Sequence, residues 1–493
     1  MLNGYNQKVN ILFPKQENVF KSLNQIPGPK SYPFIGSLLT LKGFGGDYNL
    51  LEFREFQNIL YKQYGDIVKW DLLNEKNVYL YNPEYIKQAF KADGVTPRRS
   101  SIMPLLKLNE KLGIRSTLSN SQGERWRKLR SLSNPVMAKP TTINSYLPNQ
   151  NLVANELVNI IKNKMQLESV LHFKKFDQLL RLLALEYVSE IAFDNRLNCL
   201  DETTRLADIS RLVKEIDTFF EYAGRLIFSV PIWKLYPTKE WLVFEDSARF
   251  ILKTVWEYIR KAHDSINDDN YNEKKTVLKE FLERKELYGL DTVDVVGLMT
   301  DFIIAGVDTS ATAIYYLLIE LGLNQDIQEK LYQEIKSVVK PNEDVNEEHL
   351  EKLKYLKLVI KESMRLHSTV PANSRILTED CVIGDYLIPK GTVLVFCNST
   401  ITQNDKYFKN ASKFDPERWI RDADSIHPYA TLSFGFGARM CPGRRVAEQE
   451  IYLTIIKLIQ NFRIEYLEEK PGLKIGLVAS PNKNLNVNLY RRN

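Results

Sequence analysis

The sequence predicts a mostly α-helical protein with small β-sheets, folded as a single large domain. Three observations support this prediction. Apolar residues recur with helical spacing over most of residues 122–366. The strand-like pieces are short, and neither a Pro/Gly/Ser-rich linker nor an internal repeat divides the 493 residues. With 44% hydrophobic and 26% charged residues, the chain has the composition of a globular protein that buries a large core.

The first 26 residues are polar and basic, and ordered structure is expected to begin at Pro27. This leader contains three lysines against one acidic residue, Glu17. Such a composition marks some mitochondrial presequences, and a disordered polar tail shares it. No apolar run in it approaches the ~20 residues that span a bilayer. The sequence therefore predicts a leader of residues 1–26 and a folded domain of residues 27–493, without a transmembrane anchor.

Short strands are predicted on both sides of the helical segment, because β-branched and aromatic residues cluster there. Residues 67–70 and 78–81 precede the segment, and a strand-rich insert of residues 375–396 follows it. A further helix is predicted up to about residue 460, and residues 474–489 are expected to be extended.

A long central helix is predicted to begin at Asp291, with Asp294 three residues later completing a capping box. Asn324 is expected to cap the helix that follows. The apolar stretch of residues 302–319 contains Asp308, whose charge would be costly in lipid. We therefore expect this helix to be buried in protein and not to cross a membrane.

The charge and the cysteines exclude some classes of protein. The net charge of +6 is mild and diffuse, which does not favour nucleic-acid binding but suits an acidic protein partner or an anionic membrane surface. The four cysteines, Cys199, Cys381, Cys397 and Cys441, form no C-x-x-C pair, so a zinc site is not indicated. The first three are expected to be small apolar residues of the core.

Cys441 lies in the loop of residues 434–443, which reads Phe-Gly-Phe-Gly-Ala-Arg-Met-Cys-Pro-Gly and precedes a helical run. A thiolate is a strong, soft iron ligand, and a position ahead of a helix N-terminus favours the thiolate form. Gly437 can take a backbone conformation closed to other residues, and Arg439 can bind an anion. Pro442 fits the first position of the helix. A glycine-rich turn around a buried free cysteine is the alternative.

A second polar group, Ala305-Gly306-Val307-Asp308-Thr309-Ser310, lies inside the long helix. Buried polar side chains need partners, and the Thr309 hydroxyl is expected to donate to the Ala305 carbonyl. Beside Gly306, this bond can loosen the helix and leave a groove. A hydroxyl with the nearby Asp308 carboxylate suits water binding and proton delivery. A kinked helix with satisfied polar groups is the alternative.

Three weaker patterns complete the set. Glu362 and Arg365 share one helix face, and Arg418 follows in Phe-Asp-Pro-Glu-Arg-Trp. The indole of Trp126 and the guanidinium of Arg130 are donors suited to a carboxylate. Taken singly, each pattern also occurs on ordinary protein surfaces.

In their order along the chain, these patterns resemble the motifs of the cytochrome P450 family, the haem-thiolate monooxygenases. The resemblance covers residues 27–489 and implies haem between the long central helix and the cysteine loop with its helix. It implies that Cys441 is the axial iron ligand, that Asp308 and Thr309 deliver protons, and that the triad of Glu362, Arg365 and Arg418 holds the cysteine loop in place. The other haem-binding residues that it implies are Trp126, Arg130, Arg375, Arg439, Phe434 and Gly443.

The resemblance also implies the reaction. With haem b, O₂ and electrons from NAD(P)H, the protein is expected to insert one oxygen atom into a lipophilic molecule such as a sterol, fatty acid or terpenoid. An isomerase or dehydratase that needs no outside electrons and a non-catalytic haem-binding sensor stay open. The expected pocket walls are largely apolar: residues 102–108, Met299, Phe302, Ile303, Ala305, Val370 and Val478.

Lys357 and Lys361 are four residues apart, on one helix face ahead of Glu362. With the sequence Gly-Arg-Arg-Val-Ala-Glu that starts at Gly443, they resemble the mitochondrial type of the family, in which two lysines dock an acidic ferredoxin. A diflavin reductase is the alternative donor, and two solvated lysines are the plain alternative. The implied location is the matrix side of the mitochondrial inner membrane, with the endoplasmic reticulum or cytosol as alternatives.

Residues 226–236 are apolar and aromatic and lie between helical segments. They resemble the lip of the family's substrate channel, which dips into a membrane surface, and Trp and Tyr suit such an interface. Peripheral membrane contact is therefore expected here, with ordinary core packing as the alternative.

Overall fold

The computed structural model describes residues 20–73, 75–266 and 276–492, in which helices dominate and sheets are small, as predicted. The helices are α1 (Phe53–Tyr64), α2 (Pro83–Lys91), α3 (Met103–Leu112), α4 (Gly123–Met137), α5 (Pro140–Asn144), α6 (Leu147–Met165), α7 (Phe176–Phe193), α8 (Ala207–Ile227), α9 (Lys239–Ile266), α10 (Val277–Arg284), α11 (Thr292–Leu323), α12 (Gln325–Val338), α13 (Glu347–Lys352), α14 (Lys354–Leu366), α15 (Asn398–Thr402), α16 (Arg418–Arg421) and α17 (Arg444–Asn461). The strands are β1 (Lys21–Ser22), β2 (Ile67–Lys69), β3 (Asn77–Leu80), β4 (Val170–Phe173), β5 (Asn373–Ile376), β6 (Cys381–Ile383), β7 (Tyr386–Ile388), β8 (Val393–Phe396), β9 (Phe462–Glu465), β10 (Leu473–Ile475), β11 (Ala479–Pro481) and β12 (Val487–Arg491).

The sheets join segments that are distant in the chain. In the four-stranded sheet β2-β3-β8-β5, β3 pairs in parallel with β8, and the outer pairs are antiparallel. Two three-stranded sheets, β4-β12-β9 and β1-β7-β6, and the β10-β11 hairpin complete the β-structure of the described residues. The early strands thus share one sheet with the later insert, and β12 near the end of the described chain pairs with β4 from its middle.

The central helix α11 packs against α7, α8, α9, α10, α12, α14 and α17. Among the described residues it is the one helix long and apolar enough to cross a membrane, and 72% of its most apolar 18-residue window is buried. A helix that is apolar all round belongs inside a protein when other helices cover it. The capping box is present as predicted: the Asp291 carboxylate accepts from the Asp294 amide at 3.1 Å, and Asp294 accepts from the Asp291 amide at 3.0 Å.

Three local predictions were wrong. Asn324 precedes α12, but its side chain donates to the Glu320 carbonyl at 2.8 Å and does not cap α12. Pro442 lies before the N-cap residue Gly443, because α17 begins only at Arg444. Ordered structure begins ahead of Pro27, because β1 pairs in parallel with β7. The rest of the predicted leader, residues 1–19, lies outside the described residues.

Candidate functional site

The loop that carries Cys441 folds back on itself ahead of α17. Gly435 and Gly437 have φ angles of 72° and 71°, which a residue with a Cβ rarely adopts. The Cys441 amide donates to the Phe434 carbonyl at 2.9 Å and closes the loop. Cys441 is half-buried three residues before the first residue of α17. The conformation expected of Gly437 is therefore present.

Several groups act on the Cys441 thiol. Burial raises its pKa above the ordinary value, while the Gly443 amide, which hydrogen-bonds the sulfur, lowers it. The guanidinium groups of Arg130, Arg444 and Arg99 lower it as well. A bound metal ion would deprotonate such a thiol outright. The sulfur is thus surrounded by groups that stabilise a thiolate once a cation is present.

Four arginine side chains from four separate segments meet beside this loop: Arg99, Arg130, Arg375 and Arg439. Burial, and then repulsion from the other three, lowers the pKa of Arg439 to about 9. Burial lowers the pKa of Arg130 to about 10, and burial with repulsion from Arg375 lowers that of Arg99. In the described part of the chain, Asp93 alone forms an ion pair with this group, at 2.8 Å from Arg375. The four arginines therefore carry excess positive charge.

These arginines also tie the loop to the rest of the protein. Arg130 of α4 donates to the Met440 carbonyl, next to Cys441. Arg439 donates to the Pro97 carbonyl at 2.8 Å, and Arg375 donates to a loop carbonyl at 3.2 Å. The loop is thereby fixed to α4, to β5 and to the segment between α2 and α3.

Two guanidinium nitrogens in this cluster, Arg130 Nε and Arg439 Nη1, are buried without a hydrogen-bond partner. Leaving such donors unpaired is costly, so the cluster requires an acceptor that also neutralises charge. The two propionate groups of haem would supply both, beside a cysteine that can bind the iron. The residues present therefore fit a haem group.

The other predicted haem-binding residues lie at the same place. Trp126 is buried in α4, with its ring centroid 4.1 Å from the Arg439 guanidinium. The Phe434 ring lies 5.6 Å from the guanidinium of Arg444. A Cβ on Gly443 would meet only the Cys441 sulfur, at 4.0 Å. Within the described residues, contacts with neighbouring atoms therefore do not require a glycine at this position.

Arg99 is the member of the cluster that the sequence analysis missed. It lies between α2 and α3, and its side chain donates to the Ser119 carbonyl. The only signal in the sequence is a pair of arginines after Pro97, which does not distinguish a buried arginine from an exposed one.

The face of α11 that carries Thr309 is open. The Thr309 hydroxyl donates to the Ala305 carbonyl at 2.6 Å, as expected. Ala305 is exposed and Thr309 half-buried, although both lie in the middle of a mostly buried helix. α11 is a continuous helix through Gly306. A Cβ on Gly306 would come within 2.9 Å of Val188, so the glycine lets α7 pack closely.

Asp308 lies on a different face from Thr309, because consecutive helical residues are about 100° apart. Its carboxylate is 3.4 Å from Arg181, which pairs with Asp217 at 3.2 Å. Burial raises the pKa of Asp308 to about 6, opposed by Arg181 and supported by Asp217. This series of ion pairs, from Asp308 through Arg181 to the partly exposed Asp217, leads from the helix toward solvent.

The triad residues meet in the core. The Glu362 carboxylate accepts from Arg365 at 2.7 and 2.9 Å and from Arg418 at 2.9 Å, and all three side chains are fully buried. Their remaining donors bind backbone carbonyls between Thr402 and Lys413. The triad therefore fixes the segment between α15 and α16, whereas the cysteine loop was the expected target.

The two predicted docking lysines lie on α14. Lys361 is exposed and its ammonium is 3.8 Å from the Trp419 ring, while Lys357 is half-buried one turn earlier. Burial, and then repulsion from Arg444, lowers the pKa of Lys361. Since Arg444 follows Cys441 closely, Lys361 and Arg444 place positive charge beside the cysteine loop.

A cavity of about 360 Å³ lies between α3, α8, α9 and the first half of α11. Leu105, Phe219, Trp256 and Ile304 give it mainly apolar walls. Asp301 also lines it, and the Asp301 carboxylate accepts from Thr117 and Ser119. The cavity reaches α11 one turn before the open face at Ala305 and Thr309.

The predicted pocket walls differ from the observed cavity. Leu105 lies within the predicted range of residues 102–108, but Met299 and Ile303 are fully buried and Phe302 packs on Phe281. None of these three lines the cavity, because it opens on the neighbouring face of α11. The remaining predicted wall residues lie elsewhere: Ala305 on the open face of α11, and Val370 and Val478 next to a backbone hydrogen bond between Thr369 and Ala479.

Residues 226–236 divide into buried and exposed parts. Trp233 is buried and stacks on Trp241 with 5.4 Å between ring centroids. By contrast, Ile232, Leu235 and Tyr236 are 58%, 92% and 71% exposed. The segment thus combines core packing with an exposed apolar surface.

Comparisons with known proteins agree with this arrangement. A family model described as "Cytochrome P450" matches residues 26–489. The chain is 30% identical over 489 residues to "Cytochrome P450 CYP12A2" of Musca domestica, covering 94% of this chain and 90% of that protein. It is 27% identical over 486 residues to "Probable cytochrome P450 301a1, mitochondrial" of Drosophila melanogaster, covering 95% and 87%. It is 29% identical to "Probable cytochrome P450 12c1, mitochondrial" of the same fly, covering 94% and 90%.

Proposed function

The chain belongs to the cytochrome P450 family and is a haem-thiolate monooxygenase, and we propose that a ferredoxin supplies its electrons and that its substrate is lipophilic. When bound, haem b supplies the iron at which O₂ is activated, with electrons that come from NAD(P)H through a redox partner. The observation that carries the proposed site is the excess of guanidinium groups beside Cys441.

Cys441 is proposed to be the axial ligand of the iron. Arg99, Arg130, Arg375 and Arg439 are proposed to bind the propionates, since two of them hold buried donors without an acceptor. Trp126 supports Arg439 through its ring, and Phe434 and Gly443 form the loop beside the haem. The triad of Glu362, Arg365 and Arg418 is proposed to fix the segment that leads to this loop.

Thr309 and Asp308 are proposed to act at different points of proton delivery. The Thr309 hydroxyl lies on the open face of α11, where it can hold a water molecule near the reacting oxygen. Asp308 has a pKa of about 6 and connects through Arg181 to Asp217. A carboxyl with such a pKa takes up and releases protons near neutral pH, so it can pass protons from solvent toward Thr309.

The ferredoxin is proposed to dock on the surface formed by Lys357, Lys361 and Arg444. Positive charge beside the cysteine loop attracts an acidic protein to the side from which electrons reach Cys441. Relatives whose names include "mitochondrial" support this donor type, and on the same ground we propose a mitochondrial location for this protein.

The substrate is proposed to be a lipophilic small molecule that enters the cavity of about 360 Å³ along α11. A cavity whose exposed surface is mainly apolar suits such a ligand. The exposed Ile232, Leu235 and Tyr236 are proposed to touch a membrane surface, from which a lipophilic substrate could enter.

Anaerobic reduction under carbon monoxide tests the donor. The thiolate-type ferrous–CO band is expected to form fast with a ferredoxin and its reductase, and slowly with a diflavin reductase. The double variant Lys357→Gln/Lys361→Gln should slow reduction by ferredoxin and weaken its salt dependence. Lys214→Gln, an exposed lysine on α8 away from this surface, is the matched control. Fast reduction by the diflavin enzyme alone would discard the ferredoxin proposal.

The same assay tests the iron ligand. Cys441→Ser is expected to lose the thiolate-type band even with dithionite, while Cys381→Ser keeps it. A thiolate-type band in Cys441→Ser would remove this residue from the proposed site.

A further inference from the structure

A second group of buried polar side chains lies where α11, α17 and α7 meet. Ser310, the residue after Thr309, donates from Oγ to Glu450 Oε2 at 3.0 Å. Glu450 is on the helix that follows Cys441 and is 1% exposed. A single hydrogen bond therefore joins the helix that carries Thr309 to the helix that follows Cys441.

The surroundings of Glu450 disfavour a negative charge. Its Oε1 is buried and has no hydrogen-bond partner, and no cation in the described residues forms an ion pair with it. Glu190 of α7 is buried nearby and adds like charge. Burial, and then Glu190, raise the pKa of Glu450 to about 8, against the lowering effect of Ser310.

Among the described residues, the groups whose hydrogen bonds and charges act at Glu450 are neutral or acidic. From α7 come Glu190 and Tyr187, whose hydroxyl is 3.4 Å from Thr454 Oγ1. Thr454 itself donates to the Glu450 backbone carbonyl at 2.8 Å. On the side of α6, the preceding residue Gln449 donates a hydrogen bond to the neutral side chain of Gln150. An ionised Glu450 would thus meet repulsion and poor solvation together.

We propose that Glu450 is a positioning residue that, as a neutral carboxylic acid, holds α11 against α17 through Ser310. It thereby sets the place of Thr309 relative to Cys441. Two ionised carboxylates at this crossing would repel each other and draw in water, which would separate the helices. The inference rests on the monooxygenase chemistry of the family and is independent of the proposed ferredoxin and substrate.

A protonated Glu450 makes the stability of the folded protein depend on pH. A glutamate in the unfolded chain loses its proton near pH 4.5, whereas folded Glu450 keeps it until about pH 8. Between these values the folded state binds more protons than the unfolded state, so the stability that the proton provides is lost as pH rises. Above about pH 8 the contribution of Glu450 to the free energy of unfolding no longer changes with pH.

The test compares the haem-loaded wild type with Glu450→Gln, which mimics the neutral acid, and with Glu450→Leu, which removes the hydrogen bond. Glu448→Gln is the matched control, since Glu448 is on the same helix but pairs with Arg444 near the surface. The measurements are the infrared band of protonated carboxylic acids at pH 7, the Tm from pH 5 to 9, and the fraction of thiolate-type ferrous–CO complex.

The wild type and Glu448→Gln are expected to show the acid band and a Tm that falls as pH rises. Glu450→Gln should lose part of the band, flatten the Tm profile and keep the thiolate-type complex, whereas Glu450→Leu should lose much of that complex. An unchanged acid band in Glu450→Gln, or wild-type behaviour of Glu450→Leu, would overturn the proposal. If neither variant folds, the wild type decides: the absence of an acid band at pH 7 overturns it.

Discussion

At the scale of single residues, neighbours on α11 have opposite surroundings. Thr309 lies on the open face, while Asp308 is buried against Arg181 and Ser310 bonds Glu450. Each side chain therefore meets a different environment although the three are consecutive. Their individual contributions can be separated by substitution.

Thr309→Ala is expected to lower product formation about 100-fold, the lower range for a positioned proton-transfer group, while NAD(P)H consumption continues. The lost hydroxyl no longer holds the proton-donating water, so the electrons appear as hydrogen peroxide. The measurement is the ratio of product and peroxide to NAD(P)H used.

Thr218→Ala is the control, because Thr218 makes the same bond to a carbonyl four residues back, at 2.9 Å, on the surface of α8. Unchanged coupling in Thr309→Ala would remove Thr309 from proton delivery.

Asp308→Asn is expected to abolish the change that the rate of coupled product formation shows near pH 6. Burial places the pKa of Asp308 at about 6, so the group is mostly protonated below and mostly ionised above that pH. In the wild type, the rate of product formation coupled to NAD(P)H use should therefore change its dependence on pH near pH 6. In the variant, it should not. Asp217→Asn removes only the partly exposed carboxylate that pairs with Arg181. It should shift the pH at which the rate changes without removing that change. A break near pH 6 that persists in Asp308→Asn would contradict this role.

At the scale of elements, short irregular segments depend on buried polar contacts made by helices. The segment between α15 and α16 has carbonyls that accept from Arg365 and Arg418, and the Glu362 carboxylate forms an ion pair with each of these arginines. Backbone that leaves regular structure in a core needs such donors.

Glu362→Gln leaves two buried guanidinium groups without their counter-charge. We expect a loss of about 3–5 kcal/mol in the free energy of unfolding, as for other broken buried pairs. Urea unfolding of the haem-loaded protein measures it.

Glu348→Gln breaks an exposed pair with Lys352, which solvent screens, and should leave the free energy of unfolding nearly unchanged. Equal losses in the Glu362 and Glu348 variants would show that the buried triad carries no special stability.

At the scale of the whole molecule, the exposed apolar residues after α8 are expected to hold the protein on a lipid surface. The triple variant Ile232→Ser/Leu235→Ser/Tyr236→Ser should weaken vesicle binding at least tenfold, since burying one such side chain is worth about 1.5–3 kcal/mol. Flotation with vesicles of neutral and anionic lipid measures it.

Leu167→Ser is the control, because Leu167 is fully exposed in another part of the chain. Equal binding of the triple variant and the control would discard the membrane contact.

Features that depend on residues close together in the chain can be predicted from the sequence alone. The helical class, the capping box at Asp291, the left-handed glycine at Gly437 and the bond from Thr309 to Ala305 all arise within a few residues. The ordered motifs were likewise enough to identify the family, because each motif is local and their order needs no structure.

Which surfaces meet is known only from the three-dimensional structure. Since α11 is apolar all round, its sequence does not show which face opens on the cavity, and the expected wall residues Met299 and Ile303 are fully buried away from it. Arg99 lies in the arginine cluster, and Ser310 donates to Glu450, because segments far apart in the chain pack together. Burial and charge at such crossings come from the whole fold, so no local pattern encodes them.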